Sequence, residues 1–429
     1  MFIAIRKMAV RDFWVVVFLL PAAVLAEEEA APSAFDEFSP PEIHGFYEVR
    51  GGYRTQNDRH EKDMSVMETR LQLELSTFTD WADFKLKGDL LGDLVQEEGD
   101  FDFREGWVFA RPTDTMDIKI GRQILTWGTG DLLFINDLFP KDFQSFFIGR
   151  DIDYLKAPSD AAKVSFFNEL ANIDIVYTPQ FDPDRHITGD YLSYWNSNLG
   201  RRAGRDVLVR PERPDRWFED DEIAVRLYHD FSGNELAFYG YQGFWKSPAG
   251  QTPAGRAIFP DLNVAGASLR GQLGPGIGST EVGYYDSADD RSGKDPLINN
   301  SEMRYLVGYT QEVAPELTAG IQYYVEQMLD YSAYRRTLPP TLPARDHYRQ
   351  VATVRLTKLL LNQNLQLSLF TFYSPTDSDA HLRPSLHYKA TDNLAFETGA
   401  NIFFGRYDHT QFAQLEDNTN IYAAVRYSF

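Results

Sequence analysis

The chain has 429 residues, a formal charge of −21, no cysteine, and 14% aromatic residues at a mean hydropathy of only −0.38. The acidity excludes nucleic acid as a partner, and the missing cysteines exclude a disulfide framework, thiolate metal sites and covalently attached haem. So many aromatics in a chain that is polar on average point to elements with alternating faces rather than to continuous apolar runs.

From the N-terminus, residues 1–26 read as a secretory signal. Arg6, Lys7 and Arg11 form a basic start, Phe13 to Leu20 an apolar core, and Val24-Leu25-Ala26 a small-residue cleavage site before Glu27. Removing that leader takes away three bases and Asp12 and leaves a charge of about −23. Residues 27–41 make a short periplasmic segment, too short to fold as a plug domain. No later stretch approaches the roughly 20 apolar residues of a spanning helix.

Residues 42–429 repeat one pattern, about ten residues of period-two alternation followed by a turn. Leu71-Gln72-Leu73-Glu74-Leu75 and Met116-Asp117-Ile118-Lys119-Ile120 are examples. Helical periodicity is not sustained anywhere. The connections alternate in length. Tight links are expected near 79–81, 111–114, 170–171, 231–234, 274–276, 313–315, 361–363 and 390–393. Longer polar ones are expected at 54–64, 92–100, 126–159, 179–218, 247–260, 288–300, 330–346, 375–379 and 406–416. Eight short turns and nine long loops join about 18 strands, with 16 as the alternative count. This predicts an all-β fold: a transmembrane antiparallel β-barrel of a Gram-negative outer membrane, with short periplasmic turns and long external loops. The last strand ends on Phe429, with Ile421, Ala423, Val425 and Tyr427 on the same face. That resembles the signal read by the barrel assembly machinery, an expected partner together with outer-membrane lipid and lipopolysaccharide.

If the apolar face of each strand meets lipid, parity turns Arg70, Arg226, Arg270, Arg304, Arg355, Arg383 and Arg426 into the lumen, with Lys85, Lys87, Lys119, Arg50 and His387. Such a series would favour anions. Lumenal arginines also brace barrel walls by pairing with acids, and Glu48, Glu74, Asp89, Asp117, Glu281, Glu326 and Glu397 stand ready to do so. No HExxH or GxSxG motif is present, so neither an enzyme nor a metal or cofactor site is expected.

The stretch GRQILTWGTGDLLFINDLFPKDF, residues 121–143, has the glycines of a motif without the spacing of a phosphate loop. Residues 126–159 are unusually apolar for an exposed loop. Burial explains them better, by folding inward as a constriction. Residues 179–218 place Arg201, Arg202, Arg205, Arg210, Arg213 and Arg216 over the mouth. On Gly121, Arg122 and Gln123, then Trp127-Gly128 and Asn136-Asp137, the chain resembles the alginate-export-type porins and related large bacterial porins over residues 116–167. The resemblance implies an 18-stranded pore. The function expected is passive diffusion of small polar, anionic solutes. The alternative is an exporter or sheath, passing a secreted anionic polysaccharide or enclosing a periplasmic partner.

Overall fold

Strand β1 (Glu42–Arg54) pairs with the last strand, β18 (Asn420–Ser428), so the sheet has no end: Tyr47 lies opposite Tyr427 and Val49 opposite Val425. Between them run β2 (Met64–Phe78), β3 (Ala82–Asp93), β4 (Glu98–Thr113), β5 (Met116–Ile124), β6 (Pro158–Phe166), β7 (Asn172–Thr178), β8 (Glu222–Phe231) and β9 (Asn234–Phe244). There follow β10 (Asp261–Leu273), β11 (Gly276–Ser287), β12 (Glu302–Ala314), β13 (Leu317–Met328), β14 (Tyr348–Leu360), β15 (Leu365–Ser374), β16 (Asp379–Lys389) and β17 (Leu394–Gly405). Each pairs antiparallel with its neighbours in sequence, which makes a closed barrel of 18 strands. This computed structural model describes residues 8–9, 39–340 and 342–429. The expected leader lies outside the described residues except for Met8 and Ala9, which pair with Gly99 and Glu98. Segment 27–41 lies outside them up to residue 38.

The alternation sets the two faces. On β2, Leu73 and Leu75 are exposed outward, while Arg70 and Gln72 between the same rungs are buried inward. The outer face repeats this around the ring, through Leu86, Phe238, Val307, Ile321, Ile402 and Val425. An exposed apolar ring of this kind is costly in water and suits hydrocarbon. The tight links fall where expected. One expected loop, 92–100, is shorter than expected: β3 runs to Asp93 and β4 starts at Glu98, leaving only residues 94–97 between them. Glu98 and Asp100, read as part of the polar loop 92–100, face inward on strand instead.

One register break matters for the lumen. Lys87 lies opposite Glu105 and Gly88 opposite Phe103, so Arg104 has no partner on β3. A bulge of this kind re-aims side chains. It turns Arg104 and Glu105 inward together and exchanges the faces of β4 beyond them. Trp107 consequently points in, its indole donating to Glu105 at 2.9 Å with Lys119 over the ring.

The buried apolar cluster lies inside the barrel. It consists of loop residues 125–157 packed on the inner wall: Ile135, Phe139, Phe146, Phe147, Ile148 and Leu155 meet Tyr285, Leu306, Phe372 and Phe403. Two short helices, α1 (Phe143–Ile148) and α2 (Tyr331–Thr337), sit in loops.

Candidate pore and its constriction

The apolar loop crosses the lumen and is fastened on several sides. At its tip, the backbone N–H of Thr129, that of Gly130 (2.7 Å) and the side-chain amide of Asn136 (3.1 Å) donate to Glu281 of β11. Asp131 pairs with Arg355 of β14. Asp142 caps α1, whose Phe146 and Phe147 pack on His381 and Phe403. The Phe147 carbonyl accepts from Asn401 and Asn420. Gly149, at φ 96°, ends the helix, and its carbonyl accepts from Arg50 at 2.9 Å. On the return, Arg150 meets Glu68 at 2.8 Å, Asp151 meets Arg426 at 2.7 Å, and the Tyr154 hydroxyl donates to Asp89 at 2.6 Å. Buried carboxylates with several donors are strong tethers. The loop is thus tethered to the inner wall along its length.

Residues 121–123 explain themselves at the bulge. Arg122 stands on the face shared with Ile120 and Val108, where its guanidinium donates to the Phe103 carbonyl at 2.6 Å and to Asp160 at 3.0 Å. Gln123, fully buried, donates inside the wall to the Ala161 carbonyl at 2.9 Å. The pair braces the bulge that presents Arg104.

Two cavities flank the loop among the described residues. The inner one, toward the short turns, holds about 580 Å³. It opens past Gly128, Thr129 and Arg270 to the short-turn mouth. The outer one holds about 520 Å³. Tyr154 borders both, stacked between Arg70 at 4.1 Å and Arg104 at 4.8 Å from the ring centroid. Arg104 and Asp102, 3.5 Å apart, lie on either side of that partition.

The chambers differ in charge. Glu98, Asp100, Asp102, Asp142, Asp184 and Asp190 line the outer one, and its cations Arg70, Arg150 and Arg185 are all ion-paired. Arg185, held by Asp102 at 2.7 Å, has its pKa raised further: burial opposes its charge, but the hydrogen bond and attraction from Asp102 override that. In the same wall, burial pushes the Asp184 carboxyl up and the His186 imidazole down. The inner chamber carries Lys87, Arg104, Lys156, Arg270 and Arg426 against Asp131, Asp137, Asp151 and Asp153. Among the described residues, Lys156 and Arg270 make no ion pair.

Most of the other expected lumenal cations are engaged. Arg70 binds Glu68 and Asp89, Lys85 and Lys87 share Glu74, Arg226 binds Glu235, Arg304 binds Glu302, and Arg426 also binds Glu48. Arg383 is buried over the Phe146 ring and donates to the Arg150 carbonyl at 3.2 Å. His387 is exposed toward the short-turn side. Trp127 and Gly128 line the inner chamber, Asn136 is buried on Glu281, and Asp137 holds Lys141 at 2.9 Å. Parity reasoning does not single out Arg104, Arg150, Tyr154, Lys156 or Arg185. Only the broken alternation at Phe103-Arg104-Glu105 carries a signal for the first. The others sit in loops, where strand parity does not apply.

The 179–221 loop roofs the outer chamber. Most of its arginines are tied to acids, Arg202 to Asp408, Glu416 and Asp417, and Arg205 to Glu61 at 3.2 Å, while Arg210 is exposed. Burial raises the Glu61 pKa to about 7, against the attraction of Arg54 and Arg205 and with the help of Asp58. The sign follows from linkage: a carboxyl raised in the seated loop keeps its proton there while an unseated one releases it. Seating therefore weakens as pH rises from the ordinary 4.5 to about 7 and is flat above. Hydrogen-exchange protection of residues 186–207, taken relative to the intrinsic exchange rate at each pH, is expected to be lower at pH 8 than at pH 5. Glu61→Gln should flatten that difference; an equal pH response in the variant would assign it elsewhere.

No protein-family model matches the sequence, and no curated protein does. Solved structures do match in fold. Acinetobacter baumannii OccAB4 aligns over 92% of this chain and 99% of its own, at 10% identity and TM-score 0.56. Acinetobacter baumannii OccAB3 covers 91% and 99%, at 10% identity and TM-score 0.54. Pseudomonas aeruginosa OccK5 (OpdH) covers 91% and 98%, at 11% identity and TM-score 0.52. These are outer-membrane porins, and at such identities the likeness is one of fold.

Proposed function

We infer that the protein is an outer-membrane channel for passive diffusion of small polar solutes. Its apolar band sits in lipid, its short turns face the periplasm and its long loops face outward. The observation that carries the reading is the tethered loop, which leaves two water-accessible chambers on either side of Tyr154 rather than a filled or empty barrel. A barrel built to sheathe a folded partner would need its lumen free, and here residues 125–157 occupy it. The resemblance to alginate exporters extends the reading to a polymeric anion. The cations of the inner chamber speak for that, and the narrow partition at Tyr154 speaks against it.

Anion preference rests on few residues. Paired arginines present little net field, whereas Lys156 and Arg270 bring two unpaired cations into the inner chamber against the one unpaired acid Asp153. Reversal potentials across planar bilayers in a KCl gradient test this. The wild type is expected to favour chloride, and Lys156→Gln with Arg270→Gln should lower the chloride-to-potassium ratio by about half or more, the scale expected when a local charge worth several tenths of a kcal/mol is removed. Arg226→Gln with Glu235→Gln, which removes a neutral ion pair, should change it less. An equal response in all variants would contradict the assignment.

A further inference from the structure

The roofing loop ends in a short repeat, Arg210-Pro211-Glu212-Arg213-Pro214-Asp215-Arg216, followed by Trp217 and Phe218. Proline fixes its own φ and holds the residue before it extended, so two prolines three apart favour a polyproline helix. Neither α-helix nor strand forms at 213–216. A polyproline helix has three residues per turn, so Arg210, Arg213 and Arg216 share one face at steps of about 9 Å. Glu212 and Asp215 fall on another face, where Arg256 holds Glu212 at 2.7 Å. All three arginines are exposed. Arg210 makes no ion pair among the described residues. Arg213 meets Asp182 at 3.4 Å, and Arg216, its side chain 65% exposed, meets Glu219 and Asp220. Exposed pairs of this kind are weak and readily exchanged for a stronger acceptor.

The repeat runs into the top of the lipid-facing wall. Tyr177 of β7 and Ile223 of β8 pair on the outward face, and the Tyr177 hydroxyl donates to Asp221 at 2.8 Å. The Phe218 amide donates to the Pro179 carbonyl at 2.8 Å, one residue beyond β7. Trp217 and Phe218 therefore stand at the external edge of the apolar band, their rings 5.9 Å apart and 49% and 69% exposed. Phe218 also has φ 62°, a left-handed conformation that phenylalanine rarely adopts. An exposed aromatic pair on strained backbone is unfavourable in water and suits a lipid interface, which buries its apolar area. The outer leaflet presents phosphates on a sugar headgroup, and arginine binds phosphate through paired, charge-assisted hydrogen bonds. We propose that residues 210–218 are a docking site for the phosphorylated glycolipid of the outer leaflet. The arginine row takes headgroup phosphates while Trp217 and Phe218 enter the acyl boundary. The site lies outside the lumen; it rests on the long loops facing outward and not on conduction.

The test uses the full chain, folded in detergent, with lipid A carrying two phosphates, one or none, and counts retained lipid by native mass spectrometry. Retention is expected to rise with the number of phosphates. Arg210→Gln, Arg213→Gln and Arg216→Gln together should weaken retention of the doubly phosphorylated form about tenfold or more, as charge-assisted hydrogen bonds to phosphate are lost. Arg335→Gln with Arg336→Gln, which removes two exposed arginines from α2, should leave it unchanged. Heat-modifiable mobility on gels confirms that each variant is folded. The second readout is tryptophan quenching in vesicles containing lipid A with brominated acyl chains. The emission lost in Trp217→Phe, which isolates Trp217, should be quenched. Retention independent of phosphate number, equal losses in the two arginine variants, or an unquenched Trp217 overturns the site. Equal retention of phosphatidylglycerol, an anionic lipid without the sugar, overturns the assignment to the glycolipid, and a lipid-free dimer abolished by the triple substitution assigns the face to a second copy instead. Neither readout involves conductance, so a barrel that fails to conduct would leave the site standing.

Discussion

Replacing Glu281 with alanine is expected to convert a quiet channel into a larger, fluctuating one. The side chain is buried on β11 and accepts hydrogen bonds from four groups of the loop: the Thr129 and Gly130 amides, and the amide and side chain of Asn136. Each buried donor left without an acceptor costs about 1–3 kcal/mol. The loss is therefore several kcal/mol concentrated on one hairpin tip. The barrel itself does not depend on that contact, since its 18 ladders remain. The loop should give way first, leaving the tip held by Asp131 on Arg355, the Asp131 amide on Gln322 and the Tyr285 hydroxyl on the Ile135 carbonyl. Single-channel recordings should show a conductance raised at least twofold with frequent transitions. Glu281→Gln, which keeps an acceptor oxygen, should fall between. A variant with unchanged conductance and noise would mean that the loop is held elsewhere.

The second large effect is expected at Gly121. Its φ of 124° is one that side chains rarely adopt, and a Cβ there would stand 2.2 Å from the Gly106 carbonyl oxygen, a backbone atom that cannot swing aside. Backbone strain alone costs about 1–3 kcal/mol, and the clash adds to it. Gly121→Ala should break the β4–β5 register at the bulge, release the brace of Arg122 on Phe103, and displace Arg104 from the partition. Heat-modifiable mobility on gels is expected to show a reduced folded fraction, and the protein that does fold should have altered selectivity. Gly240→Ala is the control, because nothing lies within 4 Å of a Cβ at that position. Equal tolerance of both substitutions would remove the structural account of residues 121–123.

The barrel was legible because lipid on one side and water on the other impose a period of two, and because turns and loops alternate across a membrane. Both regularities are local, so they survive without knowledge of partners. The inward position of Arg70, Arg304 and Arg426 follows from the same parity. Their pairing does not, because it depends on neighbours brought together by register. Parity fails outright at Arg104, where one extra residue exchanges the faces of β4 and carries Trp107 into the lumen. The apolar content of residues 126–159 announced burial but not its anchors. Glu281 and Glu68 lie on strands 145 and 82 residues away in sequence from the loop groups they hold. The motif at residues 121–123 proves to be less a part of the pore than the brace behind it: Arg122 stands outside the wall and Gln123 within it, and what they secure is the guanidinium next to Tyr154.

Single-channel recording of the wild-type protein in planar bilayers tests whether a tethered loop constricts an otherwise open 18-stranded channel. Discrete, ohmic openings are expected, with a conductance that rises severalfold when residues 128–137 are replaced by a short glycine-serine linker. Absence of discrete conductance in the wild type, or a conductance unaffected by removing the loop tip, would contradict it.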